Sequence, residues 1–294
     1  MGGRYGNPTR DGGTLRVFAQ DVGSLSTSPP AVPLLGVQDV RVRFGGVIAL
    51  AGVSFDVGHG QICGLIGPNG SGKTTLFNCI SSIYRYEAGE IRFEGRSLKS
   101  MPRHRMAALG IGRTFQNVAL FHRLSVRDNI LVGAHHLGRS GYFTNAFRAP
   151  IVSREEREIG ARLEMLLGLL ELNEVVGTSA GSLPFPLQKR VELARALIGG
   201  PKLLLLDEPA GGLNHSEVDE LARLLQRISS HFQLSILLVE HHMNLVMRVS
   251  EKVVALEFGR KIADGTPAEV RAEPEVIRAY LGETEHQVQH AGVA

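Results

Sequence analysis

Eight consecutive residues, Gly67-Pro68-Asn69-Gly70-Ser71-Gly72-Lys73-Thr74, set three glycines ahead of a lysine and a threonine. Glycine lets the backbone curl until its N–H groups point inward, which makes a concave site for an anion. Lys73 adds a mobile positive charge and the Thr74 hydroxyl can ligate magnesium, so the chemistry on offer is the cradling of a polyphosphate with its metal. An ordinary glycine-rich turn is the plain alternative, and the flanking segments argue against it. Ile62-Cys63-Gly64-Leu65-Ile66 is a continuous apolar run that suits a strand buried on both faces. Leu76, Phe77, Ile80 and Ile83 then fall at spacings of one, four and seven, one face of a helix whose positive end aims at the same anion.

A second constellation stands at Leu203 to Leu206, which runs into Asp207-Glu208-Pro209. The leucines read simply as a buried strand. Two carboxylates at its carboxyl end are different, because that edge is where open α/β sheets place ligands and where an unpaired buried charge is costly. Asp207 can hold magnesium, and Glu208 can polarise an attacking water. The pairs His135-His136 and His241-His242 invite a metal reading, but adjacent side chains diverge on a helix or a strand, so neither pair makes a ligand set by itself.

The elements that must position these residues alternate in type. Val40, Val42 and Phe44, then Val53, Phe55 and Val57, alternate with polar residues on either side of Gly45-Gly46 and predict two antiparallel strands. Residues from about 117 to 182 read as largely helical, with Ile159, Leu163, Leu166, Leu167 and Leu170 recurring at threes and fours. A helix over Arg190 to Ile198, a strand over 203 to 206, a helix over 217 to 229 and a strand over 235 to 239 follow. This alternation predicts a parallel sheet with helices on both faces. Strands over 252 to 256 and 260 to 263, turning at Phe258-Gly259, and short helices near 268 to 271 and 274 to 280 complete the pattern.

Composition sets outer limits. The 294 residues are 43% hydrophobic and 21% charged, enough for a sizeable core. The longest apolar runs fall far short of the roughly 18 to 20 residues that cross a bilayer. Cys63 and Cys79, the only two cysteines, both lie in apolar segments and suggest core residues in a reducing compartment. With a net charge of +3 and no basic run interleaved with aromatics, a nucleic-acid partner is not expected. Residues 1–33, rich in Gly, Pro, Ser and Thr, read as a disordered extension, and 284–294 as a flexible tail.

Taken together, the residues identify the chain, over nearly all of 37 to 283, as resembling the ABC ATPase subunits. The resemblance implies an α/β fold: a P-loop NTPase (RecA-like) core, about 34–116 and 188–283, with an antiparallel β subdomain and an inserted α-helical subdomain, about 117–187. It implies ATP and Mg2+ as ligands, held by Gly67, Pro68, Asn69, Gly70, Ser71, Gly72, Lys73, Thr74 and Thr75. Phe44 matches the aromatic that stacks on adenine, with a core residue on a strand face as the alternative. Gln116, in Arg113-Thr114-Phe115-Gln116, matches the glutamine that senses magnesium and the lytic water, so that the neighbouring stretch from Val118 to Val126 would face a membrane partner. Thr74, Gln116 and Asp207 are thus the implied metal set, and Glu208, His241 and Gln116 the implied catalytic set. Ala210-Gly211-Gly212-Leu213-Asn214 matches the loop that crosses to a second ATPase subunit. The segments Arg113 to Asn117, Val239-Glu240-His241, and Val276 to Glu283 are similar to the branched-chain amino-acid importer group, with urea, amides or short-chain acids as competing cargoes. Implied partners are a second ABC ATPase subunit, two transmembrane permeases and a substrate-binding protein, at the cytoplasmic face of the membrane.

One position departs from the family. Its usual L-S-G-G-Q signature reads Leu183-Pro184-Phe185-Pro186-Leu187 here. Pro186 stands where a glycine normally donates its N–H to the terminal phosphate bound by the other subunit, and proline has no such hydrogen. This favours a different partner chain with an intact signature. A shifted backbone that tolerates these residues, and a subunit that binds ATP without hydrolysing it, are the other readings. A phosphoryl-transferring kinase fits less well beside Gln116, Glu208 and His241. A DNA-repair or translation ATPase would need heptad arms or a second phosphate loop, which the sequence lacks.

Overall fold

The computed structural model describes residues 32–114, 119–137 and 150–280. The expected extension, except its last two residues, and the expected tail lie outside them.

Leu35–Phe44 (β1) and Val47–Val57 (β2) pair antiparallel across the Gly45-Gly46 turn, as their alternation predicts. Ile62–Ile66 (β3) is buried at every position and leads through the glycine-rich loop into Lys73–Ile80 (α1). Ala88–Phe93 (β4) and the two-residue Arg96–Ser97 (β5) extend the first pair into a four-stranded antiparallel sheet of order β2-β1-β4-β5, twice the size expected. The short Met106–Leu109 helix (α2) and Ile111–Arg113 strand (β6) precede the helical region, Val126–Val132 (α3) and Pro150–Leu169 (α4).

Beyond it the chain resumes strict alternation: Phe185–Leu197 (α5), Leu203–Asp207 (β7), His215–Phe232 (α6), Ser235–Val239 (β8), Met243–Val249 (α7) and Lys252–Glu257 (β9). Arg260–Gly265 (β10), Pro267–Ala272 (α8) and a helix over 274–280 (α9) close the fold. The second sheet has six strands in the order β10-β9-β3-β8-β7-β6. All its pairings are parallel except β9 with β10.

Two cores explain why the central strands are continuously apolar. Cys63, Leu65, Leu203, Leu205, Leu237 and Val239 face the antiparallel sheet and α1, packing with Phe77, Ile80, Ile91 and Phe93. Their alternate neighbours Ile62, Ile66, Leu204, Leu206, Ile236 and Leu238 face the helices of the other side. Each strand is therefore buried on both faces, the condition under which the period-two signal disappears. Burial also pushes both thiols up, to about 12 for Cys63 and for Cys79, so neither is a nucleophile near neutral pH.

Helix α5 begins at Phe185, five residues before the position the sequence suggested. Pro184 is its N-cap and Pro186 sits in the first turn, where a missing N–H costs no intrahelical bond and a fixed φ favours the helix. Helix α6 opens on Asn214, whose Oδ1 accepts the Glu217 amide at 3.1 Å while Glu217 Oε2 accepts the Asn214 amide at 2.8 Å. That reciprocal cap, of about 1 kcal/mol, fixes the end of the loop 210–214.

Candidate functional site

Strands β3, β8 and β7 lie side by side and parallel, so their carboxyl ends open on one edge of the sheet. The segments that leave that edge are Gly67–Thr74, residues 240–242 and Asp207-Glu208. Three stretches far apart in sequence are thereby brought to one cleft, at the position where open α/β sheets bind ligands.

The glycine-rich loop is shaped by close backbone approach. Gly67 has φ +148, and a Cβ there would stand 2.1 Å from the Leu256 carbonyl oxygen. At Gly72, φ +103, a Cβ would stand 2.7 Å from the carbonyl oxygen of Ala49. No other residue fits either place. Lys73 is buried, and its Nζ donates to the carbonyl oxygens of Gly67 at 2.7 Å and Pro68 at 2.8 Å. Gly67 donates its own N–H to the Tyr280 hydroxyl at 2.9 Å, tying α9 to the start of the loop. Ser71 Oγ is buried without a hydrogen-bond partner, while Asn69, Gly70 and Thr74 are exposed. A curled loop with a buried ammonium held by carbonyls and an unpaired hydroxyl fits a bound polyphosphate, whose oxygens would complete these groups.

Asp207 ends β7 and is 4% exposed. Burial is the main cause that raises its carboxyl above the ordinary range, with Glu208 and Glu240 adding to it; Arg113 and Lys73 act in the opposite sense. The acid is thus not unpaired. Arg113, on the neighbouring β6, places Nη2 3.5 Å from Asp207 Oδ2. Its guanidinium also donates to Ser81 Oγ at 2.6 Å and Asn78 Oδ1 at 2.9 Å, and lies 4.6 Å from the Phe77 ring centroid. Sequence reasoning met Arg113 only as a family marker; its position on an adjacent strand is what makes it a counter-charge. Asp207 and the exposed Thr74 hydroxyl follow strands that end on the same sheet edge, and together they fit a divalent cation in chemistry, oxygen donors with net negative charge.

Glu208 takes φ +47, left-handed and uncommon for a residue with a Cβ. Its N–H donates to the Val239 carbonyl oxygen at 2.8 Å, so the turn out of β7 is pinned to the end of β8. His241 Nδ1 lies 3.9 Å from Glu208 Oε2 and 3.8 Å from Glu240 Oε2. His241 and Glu208 therefore share the cleft, both partly open to solvent. Glu240, by contrast, is fully buried. Its Oε1 accepts the Ala210 amide at 2.7 Å, and its Oε2 accepts the amides of His241 and His242 at 3.0 and 3.1 Å. Burying a carboxylate costs several kcal/mol, and three charge-assisted bonds of roughly 1.5–3 kcal/mol each are what offset it.

The expected divergence of His241 and His242 is not observed: their rings lie 4.4 Å apart, tilted by 35°. Residues 240–242 belong to neither a helix nor a strand, so the geometry behind that expectation does not apply. With Glu240 the two histidines bring three ligand atoms within 4.8 Å of one another. Both Glu240 oxygens, however, are already committed to backbone amides.

Phe44 is 48% exposed at the end of β1 and meets Tyr84 edge to face at 5.4 Å, an arrangement more open than that of a core residue. Tyr84, also exposed, was not singled out from sequence because nothing in its neighbourhood is periodic. Gln116 and its neighbours Phe115, Asn117 and Val118 lie outside the described residues. Past them, Phe121, Leu124 and Val132 are exposed apolar side chains. Phe121 and Val132 line an open, mostly apolar cavity of about 430 Å3 together with Arg103, Ile111, Arg113 and Arg195.

In the proline-rich stretch Leu183–Leu187, the amides of Leu187 and Gln188 both donate to Pro184 O, at 3.0 and 3.1 Å. The Phe185 ring packs on the loop 210–214, where a Cβ at Gly212 would stand 2.9 Å from it. Lys189 Nζ lies 5.1 Å over that same ring.

Comparison with known proteins agrees with this geometry. A family model described as ABC transporter matches residues 50–211, and one described as branched-chain amino acid ATP-binding cassette transporter matches 260–286. The chain is 41% identical over 251 residues to the high-affinity branched-chain amino acid transport ATP-binding protein BraF of Pseudomonas aeruginosa, covering 85% of this chain and 98% of that one. It is 39% identical, over the same length and coverage, to LivG of Escherichia coli, which carries the same description. Among solved structures, the ADP conformation of an ATP-binding cassette of an ABC transporter superposes with a TM-score of 0.74 at 27% identity, covering 85% of this chain and 99% of that one.

Proposed function

Because the chain belongs to the ABC transporter family, we propose that it binds and hydrolyses ATP to power a transporter importing branched-chain or other hydrophobic amino acids. The observation that carries the reading is the meeting, on one sheet edge, of Gly67–Thr74, Asp207-Glu208 and His241. In this reading the amides of the loop hold the phosphates and Phe44 stacks on adenine. Lys73 exchanges the carbonyls of Gly67 and Pro68 for phosphate oxygens, where its charge offsets the one that develops on the terminal phosphoryl group. Glu208 orients the attacking water, and His241 contacts the terminal phosphate. Thr74 and Asp207, with Gln116, would hold Mg2+, which when bound neutralises charge on the phosphate oxygens.

The relatives and the chain's own surfaces support the partner set. Among the described residues no helix is long and apolar enough to cross a membrane; the names of the relatives, ATP-binding proteins of transport systems, support assigning the translocation path to permease chains. The apolar cavity beside Phe121 and Val132 is the surface we assign to a permease, on the cytoplasmic face of the membrane. The cargo rests on the names of the relatives and on the match over residues 260–286. Pro186 supports a second feature: a partner ATPase of different sequence, with the two ATP sites unequal.

The test is stimulation of ATP hydrolysis in the reconstituted transporter. Binding protein loaded with leucine, isoleucine or valine is expected to raise the rate severalfold over unloaded protein. Stimulation by urea or a short-chain amide, with none by these amino acids, would reassign the cargo and leave the ATPase reading standing.

A further inference from the structure

We infer that Glu240 is a positioning residue for the hydrolytic site: it locks the loop 210–214 to the histidine turn and so sets the placement of Glu208 relative to His241. The inference rests on the ATPase reading above and deepens it.

Glu240 directly follows β8, the strand between β3 and β7, and its carboxylate is wholly withdrawn from solvent. The three hydrogen bonds it accepts split between two loops that no backbone pairing joins directly at these residues. Oε1 holds Ala210, two residues beyond Glu208; Oε2 holds His241 and its neighbour. A short path therefore runs from Glu208 through Pro209 and the Ala210 amide into the carboxylate, and out through the amide of His241. The Glu208 amide on Val239 O fixes the root of the turn rather than its exit, and the side chains of Glu208 and His241 meet at 3.9 Å without joining the two backbones. Two oxygens of one rigid, trigonal group cannot move apart, so the two loops shift together or not at all. A displacement of His241 on meeting a terminal phosphate is thereby passed to residues 210–214, and the spacing of Glu208 and His241 is preserved as they move.

A carboxylate is the group this role requires. Each oxygen must accept, and every partner is an N–H donor. Glutamine has the same shape but a single acceptor oxygen, so its amide group must face one of the two loops donor to donor. Glu240→Gln is expected to free one loop while leaving the phosphate loop intact.

The experiment measures Mg-ATP turnover by the assembled transporter carrying Glu240→Gln, His241→Ala or both. We expect Glu240→Gln to lower kcat on the order of 10- to 100-fold, the effect of misplacing a reacting group by about an ångström, with KM for ATP within threefold of the original. The double variant should be little slower than the slower single one, because both changes act through one histidine. Where glutamine lowers the folded yield, Glu240→Thr removes the buried charge altogether and should show the same split between kcat and KM. An unchanged kcat, a loss carried in KM, or effects of the two substitutions that multiply would overturn the inference. If the unsubstituted transporter shows no Mg-dependent hydrolysis, the ATPase reading itself is at fault.

Discussion

Restoring one backbone N–H at position 186 should wake a slow ATP site, and the size of the effect follows from how α5 begins. In this family the first turn of that helix completes the site of the opposite subunit. Here two of its opening positions, Pro184 and Pro186, carry no N–H, and the amides of Leu187 and Gln188 are given to Pro184 O at 3.0 and 3.1 Å. A preorganised donor to a developing anion is worth roughly 2.7–4 kcal/mol, a factor of about 100 to 1,000 in rate. Replacing Pro186 by glycine costs about 1 kcal/mol or less through the unfolded chain, so the helix survives. In an otherwise unaltered pair the total rate should rise by no more than about twofold, because one site already turns over. The contrast lies in a Glu208→Gln background, where this chain's own phosphate loop is silenced and the remaining rate should fall well below half. Adding Pro186→Gly there should raise phosphate release on the order of 100-fold. A Glu208→Gln pair that keeps more than half its activity, or a rise of less than threefold on adding Pro186→Gly, refutes the assignment of unequal sites.

Two further outcomes follow from the loop and the acid. Tyr280→Phe strips the hydroxyl that accepts the buried Gly67 N–H, a loss of about 1–3 kcal/mol; Mg-ATP binding measured by fluorescence titration should weaken on the order of tenfold, and unchanged affinity would detach α9 from the loop. The raised carboxyl of Asp207 makes its contribution to stability full below the ordinary aspartate value of about 3.9 and progressively lost as pH rises through the folded value. Asp207→Asn removes that loss, so the thermal midpoint of the ligand-free variant, relative to the original, should climb between pH 4 and pH 7 while Mg-dependent hydrolysis disappears. A relative midpoint that falls over that interval contradicts burial as the dominant cause.

The phosphate loop and the acid pair were readable because their chemistry is local: eight contiguous residues curl by themselves, and a leucine strand announces its own end. The parallel sheet was readable from four buried strands, whose two-sided packing erases alternation. Strands β4 and β6 were not, since Ile91 and Phe93 are too few to set a period and Ile111–Arg113 is only three residues long. The start of α5 was hidden by prolines that look like breakers but serve as cap and first turn. Arg113 beside Asp207, and Glu240 between two loops, depend on strand order, which no window of sequence contains. The histidine pair misled for a related reason, because residues 240–242 follow the geometry of a turn whose shape Glu240 imposes.

The central claim, that the loop at residues 67–74 and the acid pair share one Mg-ATP site, is tested most directly by calorimetric titration of the chain and its Lys73→Ala variant. The account predicts one Mg-dependent ATP site per chain in the original and no detectable binding in the variant, whose loop has lost both its charge and the Nζ contacts to Gly67 and Pro68. ATP binding of equal strength in both proteins, or binding indifferent to magnesium, would contradict it.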